Sequence, residues 1–147
     1  MKIVSNSLKE TQKIASDLAD KIAEKGPGKY AAVIALEGEL GAGKTTFVQG
    51  FAKALGIKRH LTSPTFVLIK SYSLQATHYK LLIHIDAYRL KDYKDLIKLG
   101  VDKVVNDSGN IILIEWSDRV KKILPKKYIK VHIDHVSETE RLIRIKN

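Results

Sequence analysis

Gly38-Glu39-Leu40-Gly41-Ala42-Gly43-Lys44-Thr45 is the stretch that decides the fold. It fits G-x-x-x-x-G-K-[ST] at every constrained position. The glycines let the chain curl so that successive backbone N–H groups point at one phosphate chain. Lys44 is long enough to reach the β- and γ-phosphate oxygens, and Thr45 offers a hydroxyl to a magnesium ion. The helix that follows adds the positive end of its dipole. At average residue frequencies such a match arises by chance about once in two hundred chains of this length. The flanks make chance rarer still. Ala31 to Leu36, just upstream, is apolar and partly β-branched, the pattern of a strand covered on both faces. Thr45 to Leu55, just downstream, places Phe47, Phe51, Ala54 and Leu55 at helical spacing and ends at Gly56. This strand–loop–helix unit predicts a nucleotide site contacted by Glu39, Leu40, Gly41, Ala42, Gly43, Lys44, Thr45 and Thr46, with the Glu39 side chain in solvent.

Outward from that unit, strands and helices alternate. Ser7-Leu8-Lys9-Glu10 reads as a capping box, and Leu8, Thr11, Ile14, Ala15, Leu18 and Ile22 then share one helical face, up to Gly26-Pro27-Gly28. Strands are expected at Phe66 to Tyr72, Lys80 to Ile85 and Ile111 to Glu115. Short helices are expected at Tyr93 to Leu99, stopped by Gly100, and at Asp118 to Leu124, stopped by Pro125. Ile129, Val131 and Ile133, then Leu142, Ile143 and Ile145, suggest a terminal hairpin turning near His135 to Glu140. The fold class expected is α/β: a P-loop NTPase with a central, mainly parallel sheet, antiparallel edge strands from the hairpin, and flanking helices. No linker or repeat divides residues 1–147, so one ATPase domain is expected.

A P-loop enzyme also needs a carboxylate at the end of a neighbouring strand, to hold magnesium or to orient water. Asp86 ends Leu81-Leu82-Ile83-His84-Ile85-Asp86, and Glu115 ends Ile111-Ile112-Leu113-Ile114-Glu115. A charge capping an apolar strand is costly unless paired or metal-bound. These residues alone do not say which acid takes which role. Ser63-Pro64-Thr65-Phe66 lies between the P-loop helix and a strand, and reads locally as an ordinary turn with Pro64 fixing φ. Arg89 could meet phosphate or a partner as readily as solvent. Trp116 follows Glu115 directly. His84 and the other histidines show no metal-ligand spacing, and a core or surface role is the simpler reading.

Composition narrows the classes further. The chain has 147 residues and no cysteine, which excludes disulfides, thiol nucleophiles and Cys-based metal sites. No apolar run approaches the roughly 20 residues that span a bilayer, and Met1-Lys2-Ile3-Val4-Ser5-Asn6 turns polar too early for a secretory signal. A cytoplasmic protein with no membrane partner is the expectation. The formal charge of +10 comes from 26 Lys plus Arg against 16 Asp plus Glu, scattered along the chain. It is compatible with a polyanionic partner without requiring one. No N/T-K-x-D guanine-reading element is present. Of the five arginines, Arg59, Arg89, Arg119, Arg141 and Arg144, only the last two are near each other, unlike an arginine-rich kinase lid. ATP is therefore the expected nucleotide. A small-metabolite kinase is the alternative, and a plain nucleic-acid-binding protein is the third class.

The motifs taken together resemble one family, the bacterial P-loop ATPase TsaE of tRNA N6-threonylcarbamoyladenosine biosynthesis. The resemblance rests on Glu10-Thr11, the loop Gly38 to Thr46, Ser63-Pro64-Thr65-Phe66, His84-Ile85-Asp86-Ala87-Tyr88-Arg89, Leu99-Gly100 and Ile114-Glu115-Trp116, in that order across nearly the whole chain. It implies an ATP- and Mg²⁺-dependent ATPase, weak alone, acting on the partner proteins TsaB and TsaD, with tRNA reached through that complex. It also implies residue roles. Thr45 and Glu115 would be magnesium-associated. Asp86 would be the essential acid near the γ-phosphate, also within reach of the metal. Lys44, Asp86 and Glu115 would form the catalytic set. Thr65 would face the site from a switch-like loop, Thr11 would lie near the adenine, and Arg141 would approach the nucleotide.

Overall fold

The computed structural model describes residues 1–59, 61 and 69–147. Along the chain these form β1 (Lys2–Ser5), α1 (Leu8–Lys25), β2 (Ala32–Glu37), α2 (Lys44–Ala54), β3 (Ile69–Ser73), β4 (Leu81–Asp86), α3 (Lys94–Lys98), α4 (Val101–Val105), β5 (Asn110–Glu115), a 3-10 segment (Ser117–Ile123), β6 (Ile129–His135) and β7 (Arg141–Lys146). All seven strands join one sheet in the order β1-β7-β6-β2-β5-β4-β3. The four central strands, β6, β2, β5 and β4, run parallel. Antiparallel pairs flank them, β3 on β4 at one side and β7 on β6 with β1 outermost at the other.

The near-continuous apolar sequences of β2 and β5 follow from this placement, because both faces of a central parallel strand are covered. Alternate residues serve alternate faces. Ile34, Leu36, Ile111 and Leu113 pack with Phe47, Phe51, Ala15 and Leu18 under α1 and α2. Val33, Ile112 and Ile114 pack on the other face with Leu96, Val101 and Val120. The result is three layers, with α1 and α2 on one face of the sheet and α3, α4 and the 3-10 segment on the other.

Helix α1 starts as its sequence indicates. Ser7 Oγ accepts the backbone N–H of Glu10 at 3.1 Å, and the Glu10 carboxylate accepts the N–H of Asn6 at 2.6 Å. Its buried face is Thr11, Ala15, Leu18, Ala19 and Ile22, whereas Leu8 is exposed. Helices α1 and α2 cross closely at Gly50, where an added Cβ would stand 2.6 Å from both the Cα and the carbonyl oxygen of Gln12.

Four features differ from the expectations above. The amino terminus forms a strand, β1, held by β7. The hairpin of β6 and β7 is present, but β6 joins the parallel centre by pairing with β2, and β7 is itself covered by β1. Gly100, with φ 81°, does not only stop a helix: it pivots the chain from α3 into α4. The segment after Trp116 is 3-10 rather than α-helical and kinks at Val120. Residues Phe66 to Leu68 of the expected third strand lie outside the described residues; the strand is seen as Ile69–Ser73. Among the described residues no helix is long and apolar enough to cross a membrane.

Candidate functional site

The parallel strands set the site by where they end. Glu37, Asp86 and Glu115 stand at the carboxyl ends of β2, β4 and β5, with Asp86 in register beside Glu115, and Leu36 beside Glu115 on its other side. A crevice at the carboxyl edge of a parallel sheet is the usual place for ligand chemistry in α/β folds. The glycine loop leaves the end of β2 and feeds α2. Gly38, Gly41 and Gly43 have φ of 151°, 79° and 106°. Only glycine takes such angles readily, and Gly38 is further constrained because a Cβ there would meet the Ile133 carbonyl oxygen at 2.5 Å.

Lys44 begins α2 yet is buried. Its Nζ donates to the carbonyl oxygens of Gly38 at 2.5 Å and Glu39 at 3.0 Å, so the amine folds back along its own loop. The Trp116 ring closes over it at 4.0 Å from Nζ. Burial lowers the Lys44 pKa below 10.5, and the opposing fields of Glu115, Asp86, Glu39 and Asp118 do not fully restore it. Those four acids therefore share one electrostatic environment with the lysine.

Asp86 and Glu115 are both buried. Asp86 Oδ1 accepts the backbone N–H of Tyr88 at 2.9 Å, which fixes its rotamer at the turn after β4. Glu115 Oε2 is bonded to His84 Nε2 at 2.5 Å. Trp116 adopts φ 59°, the left-handed conformation that is unusual for a bulky residue. That turn places its indole beside Tyr88, with ring centroids 5.0 Å apart, and the Arg119 guanidinium lies 5.4 Å from the Tyr88 ring. Positive-φ residues outside glycine concentrate at functional sites.

The loop is braced from the other end of the chain. Arg141, the first residue of β7, donates from Nε to the Ala42 carbonyl at 2.9 Å and from Nη2 to the Gly41 carbonyl at 3.4 Å. Its Nη1 binds the carbonyls of Ser137 and Glu140, which tie it to the hairpin turn. Glu37, immediately before the loop, meets Lys130 at 3.0 Å and His132 at 3.4 Å, and His132 continues to Asp134 and Arg144.

Of the residues named from sequence, Lys44, Asp86, Glu115 and the loop residues converge on one place. Thr45 is exposed at the mouth of the loop, Thr46 is half-buried, and Glu39 and Leu40 are exposed on the loop's rim. Thr11 is buried, and its hydroxyl is hydrogen-bonded to Ser5 Oγ at 2.7 Å. Its connection to the loop is indirect, through Ser5, which pairs in register with the loop-bracing Arg141. Thr65 and the rest of Ser63 to Phe66 lie outside the described residues. Sequence reasoning missed the His84 contact to Glu115, which depends on the register of two separate strands; its spacing shows only which face the histidine takes. In H-x-D the two residues alternate once along a strand, so His84 shares the face of Asp86.

The residues suit a nucleotide with magnesium. An open glycine loop, a lysine whose present hydrogen-bond partners are neutral backbone carbonyls, and an exposed threonine hydroxyl can all turn to phosphate or metal. Among the described residues no group of three or more His, Cys, Asp or Glu is gathered as a protein cage for a metal.

A parallel strand delivering a glycine loop and its lysine to a helix start, beside two strand-end acids, defines the P-loop class of α/β proteins. A family model described as threonylcarbamoyl adenosine biosynthesis protein TsaE matches residues 5–143. The chain belongs to the TsaE family. It is 40% identical over 111 residues to a tRNA threonylcarbamoyladenosine biosynthesis protein TsaE from Bacillus subtilis, covering 76% of this chain and 66% of that protein. It is 34% identical to the protein of the same name from Treponema pallidum, covering 99% of both. The crystal structure of Bacillus subtilis YdiB superposes with a TM-score of 0.75 at 34% identity, over 97% of this chain and 82% of that one.

Proposed function

We propose that this chain binds and hydrolyses ATP, and that its turnover serves the N6-threonylcarbamoyladenosine modification of tRNA. Family membership supports the pathway. The observation that carries the ATPase reading is the convergence of Lys44 with Asp86 and Glu115, two buried acids in register on adjacent parallel strands. Lys44 exchanges its contacts with the Gly38 and Glu39 carbonyls for phosphate oxygens of ATP. The loop N–H groups hold the phosphate chain, and Arg141 keeps the loop's carbonyls turned outward from it. Thr45 and Glu115 would hold magnesium, which when bound neutralises phosphate charge. Asp86, locked by the Tyr88 N–H, orients the attacking water and accepts its proton. Thr11, Thr65 and Arg141 are assigned to the nucleotide's surroundings on the family resemblance. The partners are TsaB and TsaD, tRNA is reached through their complex, and the setting is cytoplasmic.

The test is phosphate release from ATP in the presence and absence of Mg²⁺ and of TsaB–TsaD, with no small-molecule acceptor added. Lys44→Ala should abolish ATP binding. Asp86→Ala should retain binding and lose hydrolysis. Normal hydrolysis by Asp86→Ala would remove that residue from the mechanism. Phosphate transfer that requires a metabolite acceptor would favour the kinase reading.

A further inference from the structure

A buried carboxylate needs a donor. For Glu115 the donor is His84. Their side chains are 4% and 1% exposed, and Nε2 and Oε2 stand 2.5 Å apart. An ionised carboxylate can only accept, so Nε2 is the nitrogen whose proton is donated, whatever the state of Nδ1. That Nδ1 is the one buried side-chain polar atom among the described residues without a hydrogen-bond partner. If His84 merely filled space between β4 and α1–α2, an apolar side chain would do so without an orphaned nitrogen. The imidazole makes sense through its other nitrogen. Register places His84 opposite Leu113 and Asp86 opposite Glu115, so the ring reaches the carboxylate diagonally from the interior side of the sheet. The second oxygen, Oε1, makes no hydrogen bond to a described residue.

We infer that His84 is a positioning residue for Glu115: its Nε2–H pins one carboxylate oxygen and fixes the direction of the other toward the magnesium end of the site. This rests on the role given to Glu115 above. It assigns to the H-x-D motif a division of labour, in which Asp86 works at the phosphate and His84 works through its neighbour. Donors behind a metal-associated carboxylate typically change metal affinity or activity by roughly 10–100-fold when removed.

The experiment uses the full chain and five proteins: wild type, His84→Leu, Glu115→Gln, the double variant, and His84→Gln, which retains an N–H donor. Magnesium titrations of ATP hydrolysis with the partner complex should show His84→Leu needing roughly tenfold more Mg²⁺ or losing a similar factor in kcat, with the KM for ATP little changed. His84→Gln should recover part of the loss, and His84→Leu should add nothing in the Glu115→Gln background. Independently of activity, ¹⁵N spectra of the ligand-free wild type should show a proton on His84 Nε2, with that resonance displaced in Glu115→Gln. This measurement stands even if His84→Leu fails to fold. Additive effects of the two substitutions, a Mg²⁺ dependence and kcat both unchanged in His84→Leu, or a ring that carries no proton on Nε2 would overturn the inference while leaving the role of Glu115 intact. A Glu115→Gln protein with wild-type turnover would instead remove the reading on which it rests.

Discussion

Gly50→Ala sets two effects of opposite sign against each other, and the crossing of α1 over α2 decides between them. Gly50 lies inside α2, where alanine is favoured over glycine by about 1 kcal/mol. Its φ is not in the left-handed region, so no backbone strain enters. The opposing term is steric. The new methyl would sit 2.6 Å from Gln12 Cα and carbonyl oxygen and 2.9 Å from its Cβ, whereas ordinary contact begins at 3.4 Å. The obstacle is the backbone of α1, not a side chain that can swing aside. Relief requires α1 to retreat by about 0.8 Å, the difference between 3.4 and 2.6 Å, and such a gap forfeits a quarter to a half of each contact's attraction. Ala15, Leu18, Ala19 and Ile22 all pack through this interface. Overpacking costs roughly 1–3 kcal/mol, and an immovable neighbour puts this site at the upper end. About 3 minus about 1 leaves a net loss of about 2 kcal/mol. For a domain of this size that lowers Tm by roughly 6 °C. Thermal unfolding followed by circular dichroism measures it, and Gly50→Val should lose more. A Tm equal to or above wild type in Gly50→Ala would show that the helices do not meet as described.

Arg141→Met should lower Tm by roughly 6 °C, from the loss of about 2 kcal/mol of charge-assisted bonds to the loop and hairpin carbonyls, and should also weaken ATP binding by calorimetry. Lys44→Met should abolish ATP binding yet stabilise the ligand-free protein by about 1 kcal/mol. The sign follows from linkage: a lysine whose folded pKa is depressed costs stability where it is charged in both states, and the cost fades as pH rises through the folded value toward 10.5. The gain from Lys44→Met, read by denaturant melts, should therefore shrink in alkaline buffer. Ser7→Ala should cost about 1 kcal/mol through loss of the α1 cap, visible as a Tm lower by roughly 3 °C.

The centre of the fold was legible because its signals are local. β2, the glycine loop and α2 are contiguous, and the motif constrains both backbone and side chains. Asp86 and Glu115 stood out because each ends an apolar run, and the structure sets them in register. What escaped was set by distant partners. Lys2-Ile3-Val4-Ser5 is too short to show alternation, and it is a strand only because β7 offers an edge. Period two in β6 and β7 marks a hairpin but cannot say that β6 also pairs in parallel with β2. Arg141 could be placed near the nucleotide by resemblance, yet its grip on the Ala42 and Gly41 carbonyls depends on a fold-back over about a hundred residues. The His84–Glu115 bond likewise joins two strands whose register no local pattern states.

The pairing of β1 with β7 bears on how the protein matures on the ribosome. The amino group of Met1 donates to the Ile145 carbonyl at 2.8 Å, a contact spanning 144 positions. Strand β1 lies at the edge of the sheet and pairs with β7, so it waits unpaired until β7 has been made. Ser5 belongs to that strand, and through it Thr11 and Arg141 reach their final positions. Closure of the sheet and bracing of the glycine loop both depend on β7, and are slowed by its sequence separation from β1 and the loop. Until β7 is in place, the sheet lacks its outer pair of strands and the glycine loop lacks the Arg141 brace.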